Sequence, residues 1–122
     1  MPDFRTPDGD MQSYYEYNGK DFDEFKFEDI EHLLACIPGE NDGFNWHWIV
    51  RLKNGKYGYV TAWCDYTGWD CQSGGSVHIA NSARDAALLA KDGYEDQGIM
   101  EQLMAQLIGV QNYGLRVFPR EQ

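Results

Sequence analysis

Two runs of alternating apolar and polar residues predict a β-hairpin in the middle of the chain. The runs lie in FNWHWIVRLKNGKYGYVTAWCD, residues 44–65, on either side of Asn54 and Gly55, a pair typical of two-residue hairpin turns. Such a turn pairs Leu52 with Tyr57 and fixes the register of the other positions. One sheet face then carries the bulky aromatic residues Trp46, Trp48, Tyr57, Tyr59 and Trp63. That face is either core beneath helices or an exposed recognition surface.

Apolar residues at helical spacing predict three helices around the hairpin. Over about Glu24–Ile37 they recur every three or four residues, and Pro38 follows as a stop signal. A second, shorter helix is predicted over residues 82–93. The third is predicted over residues 96–108, where another apolar stripe ends at a glycine.

The remaining segments complete the predicted architecture. Residues 1–12 predict a loose N-terminal arm, because prolines and a glycine interrupt any period. A short strand is predicted over residues 11–19, and the third strand of the core is predicted over residues 76–80. A short extended piece is predicted over residues 115–118. A chain of 122 residues suits one domain, 1–122. We therefore expect an α+β fold with a small three-stranded antiparallel sheet and about three helices packed on one side.

Negative charge is concentrated near the N-terminus. Residues 1–42 hold twelve of the twenty acidic residues and three of the ten basic ones, which gives −9 of the net charge of −10. Such a field attracts basic surfaces and speeds association with them. Direct nucleic-acid binding is not expected, because phosphate contacts need clustered Lys and Arg. Glu24, Glu28 and Glu31 share one flank of the first predicted helix, which is either a solvated surface or a docking surface for a basic partner.

Cysteine content and hydropathy favour a cytoplasmic protein. The three cysteines are too few for a disulfide scaffold, and an odd number suits a reducing compartment. No apolar run approaches the roughly 20 residues that span a bilayer. The N-terminal residues lack the basic start and apolar stretch of a secretion signal. No membrane contact is expected.

The connector after the hairpin, CDYTGWDCQSGG at residues 64–75, is dense in reactive and turn-forming residues. Binding contacts concentrate on loops held by a rigid scaffold. The predicted partner-binding residues of this loop are Asp65, Tyr66, Trp69, Asp70 and Gln72. The ordinary alternative is that Asp65 opens a turn through its own side chain and Asp70 bonds local backbone.

Two cysteines and two histidines form a candidate zinc set: Cys64, Cys71, His47 and His78. The predicted hairpin register places His47 diagonal to Cys64 on one face, and Cys/His sets are typical zinc ligands. However, six residues separate the two cysteines, whereas structural zinc knuckles use two to four. Reduced thiols and ordinary histidines are the simpler interpretation, and a Cys64–Cys71 disulfide is a third. No cofactor is expected, and zinc is the alternative.

Catalysis is not expected. Cys64 with His47 supplies the residue types of a nucleophile and a base, but Asp65 and Asp70 would raise the thiol pKa rather than lower it. The two carboxylates could perform acid–base chemistry if they converged. The sequence shows no nucleophile–base–orienter set, phosphate loop or dinucleotide fingerprint.

The run CDYTGWDCQSG, preceded by WIVRLKNGKYGYV and followed by SVHIANSARDAALLA, resembles small uncharacterised proteins encoded by phages and bacteria. The similarity covers residues 46 to about 90 and implies a phage or bacterial genomic setting; a phage-encoded protein would act in the host cytoplasm. Compact acidic proteins of this kind resemble inhibitors of host defence, including anti-CRISPR proteins and nucleic-acid mimics. The leading hypothesis is a non-enzymatic acidic protein that docks on the basic surface of a protein partner. The alternatives are a metal- or small-ligand-binding module built on the Cys64–Cys71 loop, and a structural subunit of a phage or larger assembly.

Overall fold

The computed structural model describes residues 9–19, 23–69, 72–92 and 98–112. The elements within these residues are α1 Gly9–Asn18, β1 Ile30–Ile37, β2 Trp46–Leu52, β3 Tyr57–Cys64, β4 Ser73–Ala80, α2 Ala83–Leu88 and α3 Ile99–Asn112. Short 3₁₀ turns, Phe27–Asp29 and Leu89–Asp92, precede β1 and follow α2. All strand pairs are antiparallel, in the order β1-β2-β3-β4. The predicted α+β architecture is confirmed, but the sheet has four strands rather than three.

The β2–β3 hairpin uses a three-residue loop rather than the predicted two-residue turn. The amide of Leu52 donates to the carbonyl of Lys56 (2.8 Å), and the amide of Gly55 donates to the carbonyl of Leu52 (3.0 Å). Gly55 has a φ of +89°, the left-handed conformation that closes this type of loop. Arg51 consequently pairs with Tyr57. The predicted register, which paired Leu52 with Tyr57, is wrong by one residue.

This one-residue difference separates the predicted aromatic face into two. A slip by one position moves the side chains of one strand to the opposite face relative to its neighbour. Trp46 and Trp48 therefore pack in the core beneath α1, whereas Tyr57 and Tyr59 pack in the core beneath α2 and α3. Trp63 lies beyond both cores and is 44% exposed.

Helices cover both faces of the sheet, not one face as predicted. On one side, Met11 and Tyr14 of α1 are fully buried with Trp48. On the other side, Ile49 of β2 packs in a second core with Leu103 of α3. Each large apolar side chain buried in this way contributes about 1.5–3 kcal/mol. The sheet is therefore the central layer of three.

Segment 30–37 is a strand, and the predicted helix Glu24–Ile37 is wrong. Leu33 belongs to the core beneath α1, and its neighbour Leu34 belongs to the core beneath α2 and α3. A strand buried on both faces needs no polar alternation. In addition, two register shifts interrupt the β1–β2 pairing, and such irregularities disturb the period of two. The resulting apolar spacing resembles that of a helix.

Segment 9–18 is a helix, and the short strand predicted over 11–19 is wrong. Met11, Tyr14 and Tyr15 are buried at spacings of three and four residues. Burial on the sheet overrides the preference of tyrosine for strands. Residues 9–12 of the predicted N-terminal arm are therefore helical, and residues 1–8 lie outside the described residues.

The two helices predicted after the sheet are confirmed. Helix α2 begins after Ser82, whose hydroxyl accepts a hydrogen bond from the amide of Asp85 (3.0 Å). Helix α3 begins after Gly98, and its Gln106 side chain contacts the edge of β1. The predicted piece 115–118 lies outside the described residues. No helix in the described part of the chain is long and apolar enough to cross a membrane.

Two buried phenols predict a loss of stability in alkali. Burial raises the pKa of Tyr14 and of Tyr15 well above the usual range, and Tyr14, Glu24 and Asp29 raise that of Tyr15 further. A raised pKa in the folded state stabilises the fold below the unfolded value, about 10, and this contribution is lost as pH rises beyond it. We expect the free energy of unfolding to fall above pH 10 by about 1.4 kcal/mol per pH unit for each tyrosine.

Urea titrations at several pH values from 8 to 11.5 measure this loss. The double variant Tyr14→Phe/Tyr15→Phe is the control, because it keeps both buried rings and removes both ionisable groups. Its free energy of unfolding should fall less steeply above pH 10 than that of the unmodified protein. Equal slopes for the two proteins would contradict the prediction.

Candidate functional site

Two connections meet at one end of the sheet and are bonded to each other. The amide of Asp42, between β1 and β2, donates to the carbonyl of Cys64 at the end of β3 (2.8 Å). The Cys64 thiol donates to Oδ1 of Asn41 (3.3 Å). We call residues 38–45 and 65–69, which form this region, the loop end.

The backbone shape of the loop end is set by its own short-range hydrogen bonds. Oδ1 of Asp65 accepts from the amide of Thr67 (2.8 Å) and from the Thr67 hydroxyl. The amide of Gly68 donates to the carbonyl of Asp65 (3.1 Å), and Gly68 has a φ of +95°. The turn-forming role considered for Asp65 in the sequence is therefore present. The half-buried Asp65 carboxylate nevertheless remains at the loop end.

The other predicted loop residues have different environments. Tyr66 is 79% exposed and Gln72 is exposed. Trp69 instead packs against the core, with ring centroids 4.7 Å from Trp46 and 5.4 Å from Tyr14. Trp69 is therefore half-buried against this core. Asp70 lies outside the described residues.

Three aromatic side chains are exposed in or beside the loop end. Phe44, in the β1–β2 connection, is 64% exposed, and Tyr66 follows the end of β3. Trp63, the second-last residue of β3, lies against Gly74, where a β-carbon would be 3.0 Å from Nε1 of the indole. Exposed Trp and Tyr are enriched at the centres of protein interfaces.

Four acidic residues lie in or beside the same region. Asp10 of α1 lies there because its Oδ2 accepts a hydrogen bond from Nε1 of Trp46 (3.0 Å). Burial raises the pKa of the Cys64 thiol, and the carboxylates of Asp65 and Asp10 raise it further, which places both near that thiol. The acidic residues of this group are Asp10, Glu40, Asp42 and Asp65. The segments that form and flank the loop end, 38–50 and 57–80, contain no Lys or Arg.

The predicted acidic flank, Glu24, Glu28 and Glu31, lies at the opposite end of the sheet. There β1 begins beside Leu52, and Oε1 of Glu31 lies 3.3 Å from Nε of Arg51. Lysines accompany these acids at positions 26, 53 and 56. We call residues 23–31 and 51–56 the turn end. A strand of eight residues spans about 26 Å, which exceeds the Debye length of about 10 Å at 0.1 M salt. The fold therefore does not join the two predicted groups in one surface.

The candidate zinc residues that can be located do not converge. His47 is buried (5% exposed), its Nδ1 lies 2.8 Å from the Tyr59 hydroxyl, and it occupies the face beneath α2 and α3. Cys64 occupies the other face, beneath α1, so the predicted diagonal pairing with His47 is wrong. His78 is exposed and stacks on Tyr59 (6.2 Å). Within the described ranges, no three His, Cys, Asp or Glu side chains are grouped to hold a metal ion.

Cys71 lies outside the described residues. The Cys64–Cys71 disulfide considered from the sequence therefore also falls outside them. A raised thiol pKa leaves Cys64 protonated at neutral pH, which disfavours a nucleophilic role. His47, the base considered for that role, lies on the opposite face of the sheet. The arrangement at the loop end is therefore suited to recognition through charge and aromatic contact.

Sequence reasoning did not select five residues of this region as partner-binding residues: Asp10, Glu40, Asp42, Phe44 and Trp63. The available signal was the long stretch without Lys or Arg, because a region without cations leaves its acids unneutralised even where they are few. Comparison of the chain with protein-family models, curated proteins and solved structures finds no match.

Proposed function

We propose that this chain is a non-enzymatic acidic binding protein that docks on the basic surface of another macromolecule through the loop end. The observation that supports this proposal is that four acidic residues and three exposed aromatic rings lie in or beside the loop end, whose segments 38–50 and 57–80 contain no Lys or Arg. Unneutralised carboxylates steer a basic partner towards the site. The rings of Phe44, Trp63 and Tyr66 supply contact area and faces over which an arginine can stack.

The turn end supports the proposal less well. Glu31 is paired with Arg51, and nearby lysines reduce the negative field of Glu24 and Glu28. Exposed ion pairs of this kind contribute about 0–1 kcal/mol and are screened by salt. We therefore assign the docking role to the loop end and treat the three glutamates as solvated surface.

The resemblance to small phage and bacterial proteins suggests a class of partner. A compact acidic protein in the cytoplasm of an infected host can occupy a surface that evolved to hold nucleic acid, since both ligands are polyanionic. We propose an inhibitor of a host defence complex, of the anti-CRISPR or nucleic-acid-mimic type.

Titration with an octa-arginine peptide, followed by NMR, tests where a basic ligand binds. We expect chemical-shift changes at the loop end, including the indole N–H of Trp63, with affinity that falls as salt increases. The triple variant Glu40→Gln/Asp42→Asn/Asp65→Asn should weaken binding about tenfold at low salt. Asparagine keeps the side-chain oxygen that forms the turn at position 65 and tolerates the positive φ of Asp42 (57°).

The matched control is Glu24→Gln/Glu28→Gln/Glu31→Gln, which removes the same number of charges at the turn end. Its affinity for the peptide should stay within about twofold of the unmodified protein, because the two ends lie more than a Debye length apart. Shift changes centred on residues 23–31, or a larger loss in this control, would reject the loop end as the docking surface.

A further inference from the structure

The two edge strands of the sheet, β1 and β4, differ in how far other residues bond their outward-facing backbone groups. At the β1 edge, Gln106 of α3 bonds the backbone of Cys36 twice: the Cys36 amide donates to Oε1 (2.9 Å), and Nε2 donates to the Cys36 carbonyl (2.9 Å). This side chain occupies backbone groups that an added strand would otherwise use. An edge protected in this way resists pairing with another chain.

The β4 edge has no comparable protection in the described part of the chain. Strand β4, Ser73–Ala80, pairs only with β3, and no described residue bonds its outward-facing backbone groups. Alternate residues of an antiparallel edge strand point both their N–H and C=O away from the sheet. Strand β4 carries no charged side chain or proline, the residues that usually discourage pairing. Gly75, His78 and Ile79 are exposed along it.

The consecutive glycines of β4 have a separate, internal explanation. A β-carbon at Gly75 would lie 2.6 Å from the Tyr14 hydroxyl, and one at Gly74 would lie 3.0 Å from the Trp63 indole. The evidence for an open edge is therefore its unbonded backbone groups, within the described residues, and its uncharged side chains. The two glycines are not part of that evidence.

We propose that an extended basic segment of the partner adds to β4 as a fifth strand. Strand addition draws its affinity from main-chain hydrogen bonds along an exposed edge and its specificity from neighbouring side chains. The loop end is continuous with this edge, because the amide of Asp65 donates to the carbonyl of Gln72, directly before β4 (3.0 Å). Arginines or lysines of the added segment meet the loop-end carboxylates there.

Charge decides between this occupant and a second copy of the chain. Two copies paired through β4 would bring together two molecules that each carry a net charge of −10. Neither β4 nor the loop end offers a Lys or Arg to offset the repulsion. A basic segment gains from the same field. This inference rests on the proposed function and specifies the backbone form that the ligand takes.

Three synthetic peptides of about eight residues, the length of β4, test the inference. The first alternates arginine and valine. The second is identical but carries N-methyl groups on four consecutive central amides, which remove the N–H donors along both of its edges. The third replaces every arginine with glutamine. We expect the first peptide to slow amide exchange at alternate β4 residues and to bind at least about tenfold more tightly than either of the others.

A protein variant provides a second measurement. Ile79→Lys places a cation on the exposed edge and should weaken binding of the arginine peptide about tenfold, whereas Ile79→Gln, of similar size and uncharged, should change it by less than about threefold. Circular dichroism checks that both variants keep the fold.

The outcomes distinguish the two proposals. Equal binding of the arginine peptide and its N-methylated form overturns strand addition and leaves docking on a basic ligand intact. Equal binding of the arginine and glutamine peptides overturns the claim that the ligand is basic, and with it the proposed function. Absence of binding at millimolar peptide overturns strand addition. Protection of β4 amides that rises with protein concentration alone would identify a second copy as the occupant and overturn the inference.

Discussion

Replacing Trp48 with alanine should destabilise the protein by about 3–5 kcal/mol, enough to unfold a domain of ordinary stability or leave it marginal. The indole is fully buried between the sheet and α1, and it stacks on Tyr14 with ring centroids 6.1 Å apart. Its removal leaves a cavity that α1 cannot fill without losing its contact with the rest of the sheet. Urea unfolding followed by far-ultraviolet circular dichroism measures the change, since this signal does not depend on the removed fluorophore.

Trp63→Ala is the matched control, because both tryptophans lie on neighbouring strands of the same hairpin. Trp63 is 44% exposed, so its removal should change the free energy of unfolding by less than about 1 kcal/mol. The same variant should weaken binding of octa-arginine at the loop end. Similar destabilisation by the two substitutions would contradict the register that separates these side chains.

These two tryptophans show how far the hairpin could be predicted. The strands and their turn were evident from alternation and from Asn54-Gly55. The loop length was not, since an asparagine–glycine pair also fits a three-residue loop with glycine in the left-handed position. One residue of difference then decided which aromatics share a face. Local sequence identifies a hairpin more reliably than it fixes the register.

The sequence predicts a strand where α1 lies and a helix where β1 lies, and the reason for these two errors is different. In each segment the spacing of the apolar residues depends on which elements pack against it. Those elements are formed by other parts of the chain. Leu33 and Leu34 can be adjacent and both buried only because β1 has a helix-covered core on each side. The tyrosines of α1 favour strands by intrinsic preference but are buried at helical spacing. Tertiary burial overrode local preference in both segments.

The candidate site was located by sequence only in part. The density of polar and aromatic residues favoured the β3–β4 connection, where Tyr66 is exposed. Its companions Asp42 and Phe44 belong to another connection, and only the hydrogen bond between Asp42 and Cys64 brings the two together. Counting acids favoured the turn end, where basic residues also gather. The balance of charge within each folded end could not be obtained from the linear sequence.

The fold covers some surfaces of the sheet and leaves others uncovered. Both sheet faces are covered by helices, and Gln106 occupies the backbone at the β1 edge. Among the described residues, the loop end and the β4 edge are not covered by these elements, and they adjoin each other through Gln72. A ligand that uses both combines directional backbone bonds with long-range attraction. The first sets orientation and the second raises the association rate.

Substitution of Gly75 by alanine should destabilise the protein by about 3 kcal/mol. A β-carbon at this position would collide with the carbonyl oxygen of Thr61 on the adjacent strand and lie 2.6 Å from the Tyr14 hydroxyl. The Thr61 oxygen belongs to the β-ladder and cannot turn aside as a side chain can. Relief therefore requires β4 to move away from β3, or α1 to rise from the sheet. Urea unfolding measures the loss, and amide exchange in α1 should accelerate.

Gly74→Ala is the matched control for this prediction. Both substitutions reduce the entropy of the unfolded chain equally, by about 0.4–1 kcal/mol, and neither glycine has a positive φ. The difference between them therefore reports contacts in the folded state. At position 74 the new methyl group meets the exposed Trp63 indole, which can rotate, so the free energy of unfolding should change by less than about 1 kcal/mol. Equal stability of the two variants would show that α1 does not rest on Gly75, and would remove the physical basis for its position across the sheet.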